Sequence, residues 1–119
     1  HGLSYTEFQY GVVTPSSTTV KRGEKLSVEV TVTNVGKRDG AETVHWFISD
    51  PYCSITRPVK ELKHFEKQFI KVGETRTFRF DVDLERDLGF VDGNGKRFLE
   101  AGEYNIWVQD QKVKIELID

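Results

Sequence analysis

The chain has 119 residues, one cysteine, no methionine and a formal net charge of -2 from 17 basic and 19 acidic side chains. A hydrophobic fraction of 37% with 12% aromatics belongs to one globular domain with a real core, not to a disordered chain. Near charge balance and a pI near 5.9 argue against nucleic acid as a partner, and no apolar run approaches the ~20 residues that span a bilayer, so no membrane partner is expected.

In chain order, the opening HGLSYTEFQY lacks a basic start followed by an apolar stretch, so it does not read as a signal peptide. The missing initiator methionine points to a processed or excised chain. KRGE at 21–24 marks a turn. LSVEVTVTN then places Leu26, Val28, Val30 and Val32 on one face and Ser27, Glu29, Thr31 and Thr33 on the other. That period of two describes a strand with one buried and one wet face. A turn in NVGKRDG at 34–40 leads to ETVHWFI, where Val44, Trp46 and Ile48 share a side. DPYCSITRP reads as a loop. VKELKHFEKQFI is ambiguous: Leu62, Phe65 and Phe69 could line a helical stripe, but its strand neighbours favour an extended or edge segment. After KVGE at 71–74, TFRFDVDL alternates Phe78, Phe80, Val82 and Leu84 with polar residues. Leu84 to Leu99 is irregular and expected to form a long loop, with reversals at VDGNG and AGE. EYNIWV and KVKIELI close the chain as two more strands, with Tyr104, Ile106 and Val108 together and Val113, Ile115 and Leu117 together. Short alternating strands joined by polar turns predict an all-β, immunoglobulin-like antiparallel β-sandwich of about seven strands, occupying 1–119 as a single domain.

Chemistry is sparse. Cys53 has no glycine elbow or local base beside it, and no spacing ties His1, His45 or His64 to it or to a serine, so it reads as a small structural residue. One thiol forms no internal disulfide and no cysteine-based metal site. Asp81 and Asp83 leave one face of a strand roughly 6–7 Å apart, a separation open to glycosidase carboxylates, yet opposite an apolar face such charges read as solvated. VDGNG offers Asp92 and Asn94 to calcium but has lysine at 96, so the turn reading prevails. No catalytic residue, metal ligand or cofactor is assigned. The exposed aromatics are more informative. With Trp46, Ile106 and Val108 inward, Phe47 and Trp107 face outward, as a contact surface for sugar or for a neighbouring domain.

Four segments carry a resemblance. HGLSYTEFQY resembles the FGHGLSYTxFxY motif that opens the fibronectin type III-like domain of family-3 glycoside hydrolases. VTVTNVGKRDGAETVHWFISDP resembles that domain's V-x-N-x-G-x-R-x-G-A-E-V-V-x-x-Y-V-x-D-P segment, and SITRPVKELKHFEKQFIKVGET its S-V-x-R-P-x-K-E-L-K-G-F-x-K-x-x-L-x-x-G-E. AGEYNIWV resembles the pattern's terminal strand. The sequence departs from it with His64 for glycine and Phe47 for tyrosine, and it begins inside the motif, as a domain cut from a larger enzyme would.

The resemblance implies a fibronectin type III-like sandwich that follows barrel and α/β catalytic domains in β-glucosidases and β-xylosidases. Both catalytic carboxylates of those enzymes lie in the other two domains. The chain alone would then be no enzyme and need no cofactor. It would act as an accessory domain that packs on the catalytic domains of a parent glycosidase and aids stability or substrate approach. Contacts are expected from Leu3 and Tyr5, and from Tyr52, Arg57 and Pro58 in the loop. Two other readings stay open: an autonomous carbohydrate-binding module that uses Trp107 and Phe47 on a polysaccharide, and an immunoglobulin-like protein-interaction domain that pairs through a free strand edge. A periplasmic or secreted location is implied by the resemblance alone.

Overall fold

Every segment that alternates in the sequence is a strand in the computed structural model, which describes residues 7–49, 60–91, 94–95 and 97–119. In chain order these are β1 (Phe8–Tyr10), β2 (Thr14–Pro15), β3 (Thr19–Lys21), β4 (Leu26–Asn34), β5 (Gly40–Ser49), β6 (Glu61–Ile70) and β7 (Thr75–Val82). One turn of π-helix (Leu84–Leu88) follows, then β8 (Phe90–Val91), β9 (Arg97–Phe98), β10 (Gly102–Val108) and β11 (Gln111–Ile118). Two sheets face one another. In one, β4 pairs with β7 on one side and with β1 and β2 on the other; the second runs β3-β11-β10-β5-β6. Pairings are antiparallel except β3 with β11, which is parallel. The chain is an all-β sandwich, as its alternation predicts.

The inward faces interdigitate to form the core. Leu26, Val28, Val30 and Val32 of β4 and Phe78, Phe80 and Val82 of β7 meet Val44, Trp46 and Ile48 of β5, Ile106 and Val108 of β10, and Ile115 and Leu117 of β11. Each such side chain contributes about 1.5–3 kcal/mol by leaving water. Trp46 and Phe80 touch across the two sheets with ring centroids 5.8 Å apart. His64, on the inward side of β6, stacks on Phe80 at 5.1 Å with planes only 10° apart. The ambiguous segment is thus an edge strand, and its histidine helps close the open side of the sandwich.

The β7 edge at that side is guarded. Glu66 and Gln68 reach from β6 to β7, where Gln68 Nε2 donates to the Thr77 carbonyl at 2.9 Å and Glu66 Oε1 accepts from the Arg79 amide at 3.4 Å. These bonds occupy backbone groups of β7 that another strand would need, which disfavours edge-to-edge pairing there. On the opposite side, the Tyr10 hydroxyl donates to Glu42 Oε2 at 2.7 Å and links β1 to β5.

The turn over NVGKRDG is organised by a fully buried side chain. Asn34 Nδ2 donates to the carbonyls of Arg38 (2.8 Å) and Ile70 (2.9 Å), while Oδ1 accepts from the Gly36 amide (2.9 Å). Its backbone amide donates to Glu74 and its carbonyl accepts from Gly73, so one residue ties two turns together.

The expectation of a long loop from Leu84 to Leu99 is corrected. The segment begins with the helical turn and continues as the β8–β9 hairpin. Leu84 and Leu88, four apart, bury together, and Asp83 caps the turn by accepting from the Arg86 amide. Asp87 is buried and accepts from the Asp83 amide at 2.8 Å and from the Arg86 guanidinium at 3.0 and 3.1 Å. That carboxylate raises the Arg86 pKa further above its ordinary value, by hydrogen bond first and by charge second.

Candidate interaction surface

The outward face of the five-stranded sheet carries the features that set this chain apart from a plain sandwich. Strand parity puts Thr43, His45 and Phe47 of β5 on that face. Cross-strand pairing then brings Trp107 of β10 opposite Phe47, and Phe65 and Phe69 of β6 opposite His45 and Ala41. A β-bulge between Trp46 and Phe47 makes Lys63 the extra residue of β6, so Leu62 pairs with Phe47 and also turns outward. Leu62, Phe65 and Phe69 are 48%, 62% and 53% exposed, a row of apolar side chains along an edge strand that Lys67, opposite Thr43, interrupts between the two phenylalanines. The His45 and Phe65 rings lie 6.2 Å apart on it. The sequence holds this signal in the Leu62, Phe65 and Phe69 spacing, but the bulge disguises it as a helical stripe.

Phe47 and Trp107, the two aromatics expected to face outward, do so side by side on adjacent strands. They are not bare platforms. Lys60 Nζ sits 4.2 Å from the Trp107 ring centroid and 5.9 Å from that of Phe47, and Lys112 Nζ lies 5.4 Å from Trp107. The indole N–H donates to Ser49 Oγ at 2.8 Å. Cation–π attraction and that hydrogen bond fix the indole in place and leave little of its face for a sugar ring. Phe47 is half-buried and also walls a groove next to β5.

Leu3, Tyr5, Tyr52, Arg57 and Pro58 lie outside the described residues, as do His1, Cys53 and Asp92. Asp81 is exposed and accepts from Arg79 at 2.8 Å, while Asp83 caps the helical turn, so the two carboxylates do not converge on a cleft. His45 is exposed on its strand as parity requires. Among the described residues no group of three or more His, Cys, Asp or Glu side chains could hold a metal ion, and no helix is long and apolar enough to cross a membrane.

Comparison with known proteins fixes what this sandwich is. Residues 42–112 match the model of the fibronectin type III-like domain. The chain belongs to that family. It is 40% identical over 116 residues to the periplasmic β-glucosidase of Salmonella typhimurium, a match that covers 98% of this chain and 15% of that protein. Among solved structures, a β-glucosidase of Erythrobacter marinus superposes with a TM-score of 0.88 at 36% identity, over 99% of this chain and 16% of that one. The family-3 β-glucosidase of Bifidobacterium adolescentis gives 0.80 at 33% identity, over 98% and 18%. The fibronectin type III-like domain here thus spans about one sixth of the enzymes it resembles, and those relatives are family-3 glycosidases.

Proposed function

We propose that the chain is a non-catalytic accessory domain of a β-glucosidase-like family-3 glycosidase, and that it packs on the catalytic domains through the outward face of its five-stranded sheet. The observation that carries this reading is the stripe of Leu62, Phe65 and Phe69. Three large apolar side chains along one strand face, each about half exposed, leave a water-facing surface that a monomer gains by covering. Lys60 borders the stripe and Lys67 sits within it between Phe65 and Phe69; neither has an acidic partner among the described residues, so both can supply polar groups to such a contact. Leu3, Tyr5, Tyr52, Arg57 and Pro58 extend the contact from the N-terminal segment and the loop before β6. The role is mechanical: it stabilises the catalytic domains and shapes the approach of substrate. The periplasmic relative supports a periplasmic or secreted location for the parent.

Reading the gene upstream of the codon for His1 tests this first. In-frame barrel and α/β domains are expected there, and a start codon directly before His1 would overturn the reading. In the intact parent, Arg57→Ala is then expected to lower the melting temperature. Unchanged melting and unchanged kinetics would remove Arg57 from the contact.

A further inference from the structure

We propose that the groove between β5, β1 and the β10–β11 turn is a binding subsite for a neutral pyranose unit. It rests on the reading above, that the domain serves a saccharide-cleaving enzyme, and lies beside the apolar stripe on the same sheet face, with His45 between the two. Tyr10, Glu42, Thr43, His45, Phe47 and Gln109 line the groove, whose volume of about 340 Å³ lies in the ~300–1,000 Å³ range of small-molecule sites. The lining mixes an aromatic ring with groups that bond hydroxyls, the combination a sugar ring needs for its C–H face and its equatorial edge.

The polar groups are available. The Tyr10 hydroxyl holds Glu42 Oε2 at 2.7 Å, which fixes the carboxylate and leaves Oε1 without a partner among the described residues. No described residue hydrogen-bonds the Thr43 hydroxyl, the His45 imidazole or the Gln109 carboxamide. Glu42 accepts from sugar hydroxyls and repels an anionic sugar, which selects the neutral class. Trp107, by contrast, is covered by lysines and takes no part.

Gln109 supplies an independent pointer. It is the one non-glycine with positive φ (53°) among the described residues, in the two-residue reversal between β10 and β11. Glycine or asparagine adopts that conformation at lower cost. A glutamine there keeps a carboxamide on the rim of the groove at the expense of turn stability, a pattern found at functional sites.

The test is an amide-shift NMR titration of the 119-residue chain with cellobiose, xylobiose and glucuronic acid. Millimolar, saturable shifts at Glu42, Thr43, His45, Phe47 and Gln109 are expected with the two neutral disaccharides, and markedly weaker ones with glucuronic acid. Gln109→Gly is expected to raise the melting temperature and still weaken cellobiose binding about fivefold, the loss of one hydrogen bond. Thr43→Val, on an exposed strand face, should weaken it similarly with the fold intact. Absence of saturable shifts, shifts confined to Trp107 and Lys112, equal binding of glucuronic acid, or unaltered affinity in both variants would overturn the proposal. Any of these leaves the docking role standing, since that is read in the longer protein and not from sugar binding.

Discussion

Asn34 is the residue whose loss the structure prices most clearly. Its side chain is fully buried and makes three hydrogen bonds, two donated to the carbonyls of Arg38 and Ile70 and one accepted from the Gly36 amide. Asn34→Ala removes all three and takes the donor from the carbonyl of Ile70, a fully buried residue. At about 1 kcal/mol net for each bond, the expected loss is about 3 kcal/mol, with a further increment from the cavity. For 119 residues at ~2.1 cal/mol/K per residue, that corresponds to a melting temperature lower by about 12 °C. Asn34→Asp is the sharper variant. It keeps the acceptor for Gly36 but aims a carboxylate oxygen at two carbonyls, so it should lose more than alanine does. Thermal unfolding followed by circular dichroism reads both. A drop below about 4 °C for Asn34→Ala, or aspartate more stable than alanine, would show that water or a shifted turn replaces these bonds.

Three further outcomes follow from buried or bridging polar groups. Burial first, then the hydrogen bond to Glu42 and that group's charge, raise the Tyr10 pKa well above the ordinary phenol value. Its folded pKa therefore exceeds its unfolded value of ~10, so the stability it contributes is complete below pH ~10 and is lost as pH rises further. Denaturation midpoints should fall above pH ~10 more steeply in the wild type than in Tyr10→Phe, and equal slopes would contradict the assignment. At neutral pH, Tyr10→Phe should be destabilised by about 1 kcal/mol, because Glu42 remains partly open to water. Asp87→Ala should lose about 3 kcal/mol in urea melts, since the Asp83 amide and the Arg86 guanidinium lose their acceptor together. A loss below about 1 kcal/mol would mean that the helical turn holds without its buried carboxylate.

The five long strands other than β6 are legible in the sequence because each buries one face, and burial on one face writes itself as alternation. Three kinds of feature are not. β1, β2 and β3 have two or three residues each, too few for any period to show. In β6 the bulge at Lys63 breaks the alternation and the outward residues are apolar, so Leu62, Phe65 and Phe69 mimic a helix. Asn34 looks like any turn residue, and only its burial shows it to be the tie between two turns.

The surface divides the same way. Parity alone places Phe47 and Trp107 outward. Nothing in the sequence shows that Lys60, just ahead of β6, lies over Trp107, because that contact depends on the register of β6 past its bulge. The groove is hidden for the same reason: Tyr10 and Glu42 are 32 residues apart and meet across the two sheets. Gln109 gives no local sign of its left-handed backbone.

Docking through the outward sheet face is tested most directly by measuring Phe65→Ser in two settings. One is the 119-residue chain alone; the other is the same domain exchanged for the matching region of the Salmonella typhimurium β-glucosidase. Phe65 is 62% exposed, so its loss should leave the melting temperature of the isolated chain within about 2 °C of wild type. In the longer protein the same substitution should lower stability by at least about 2 kcal/mol, the worth of a large apolar side chain buried at a contact. An equally small effect in both settings would contradict docking through this face.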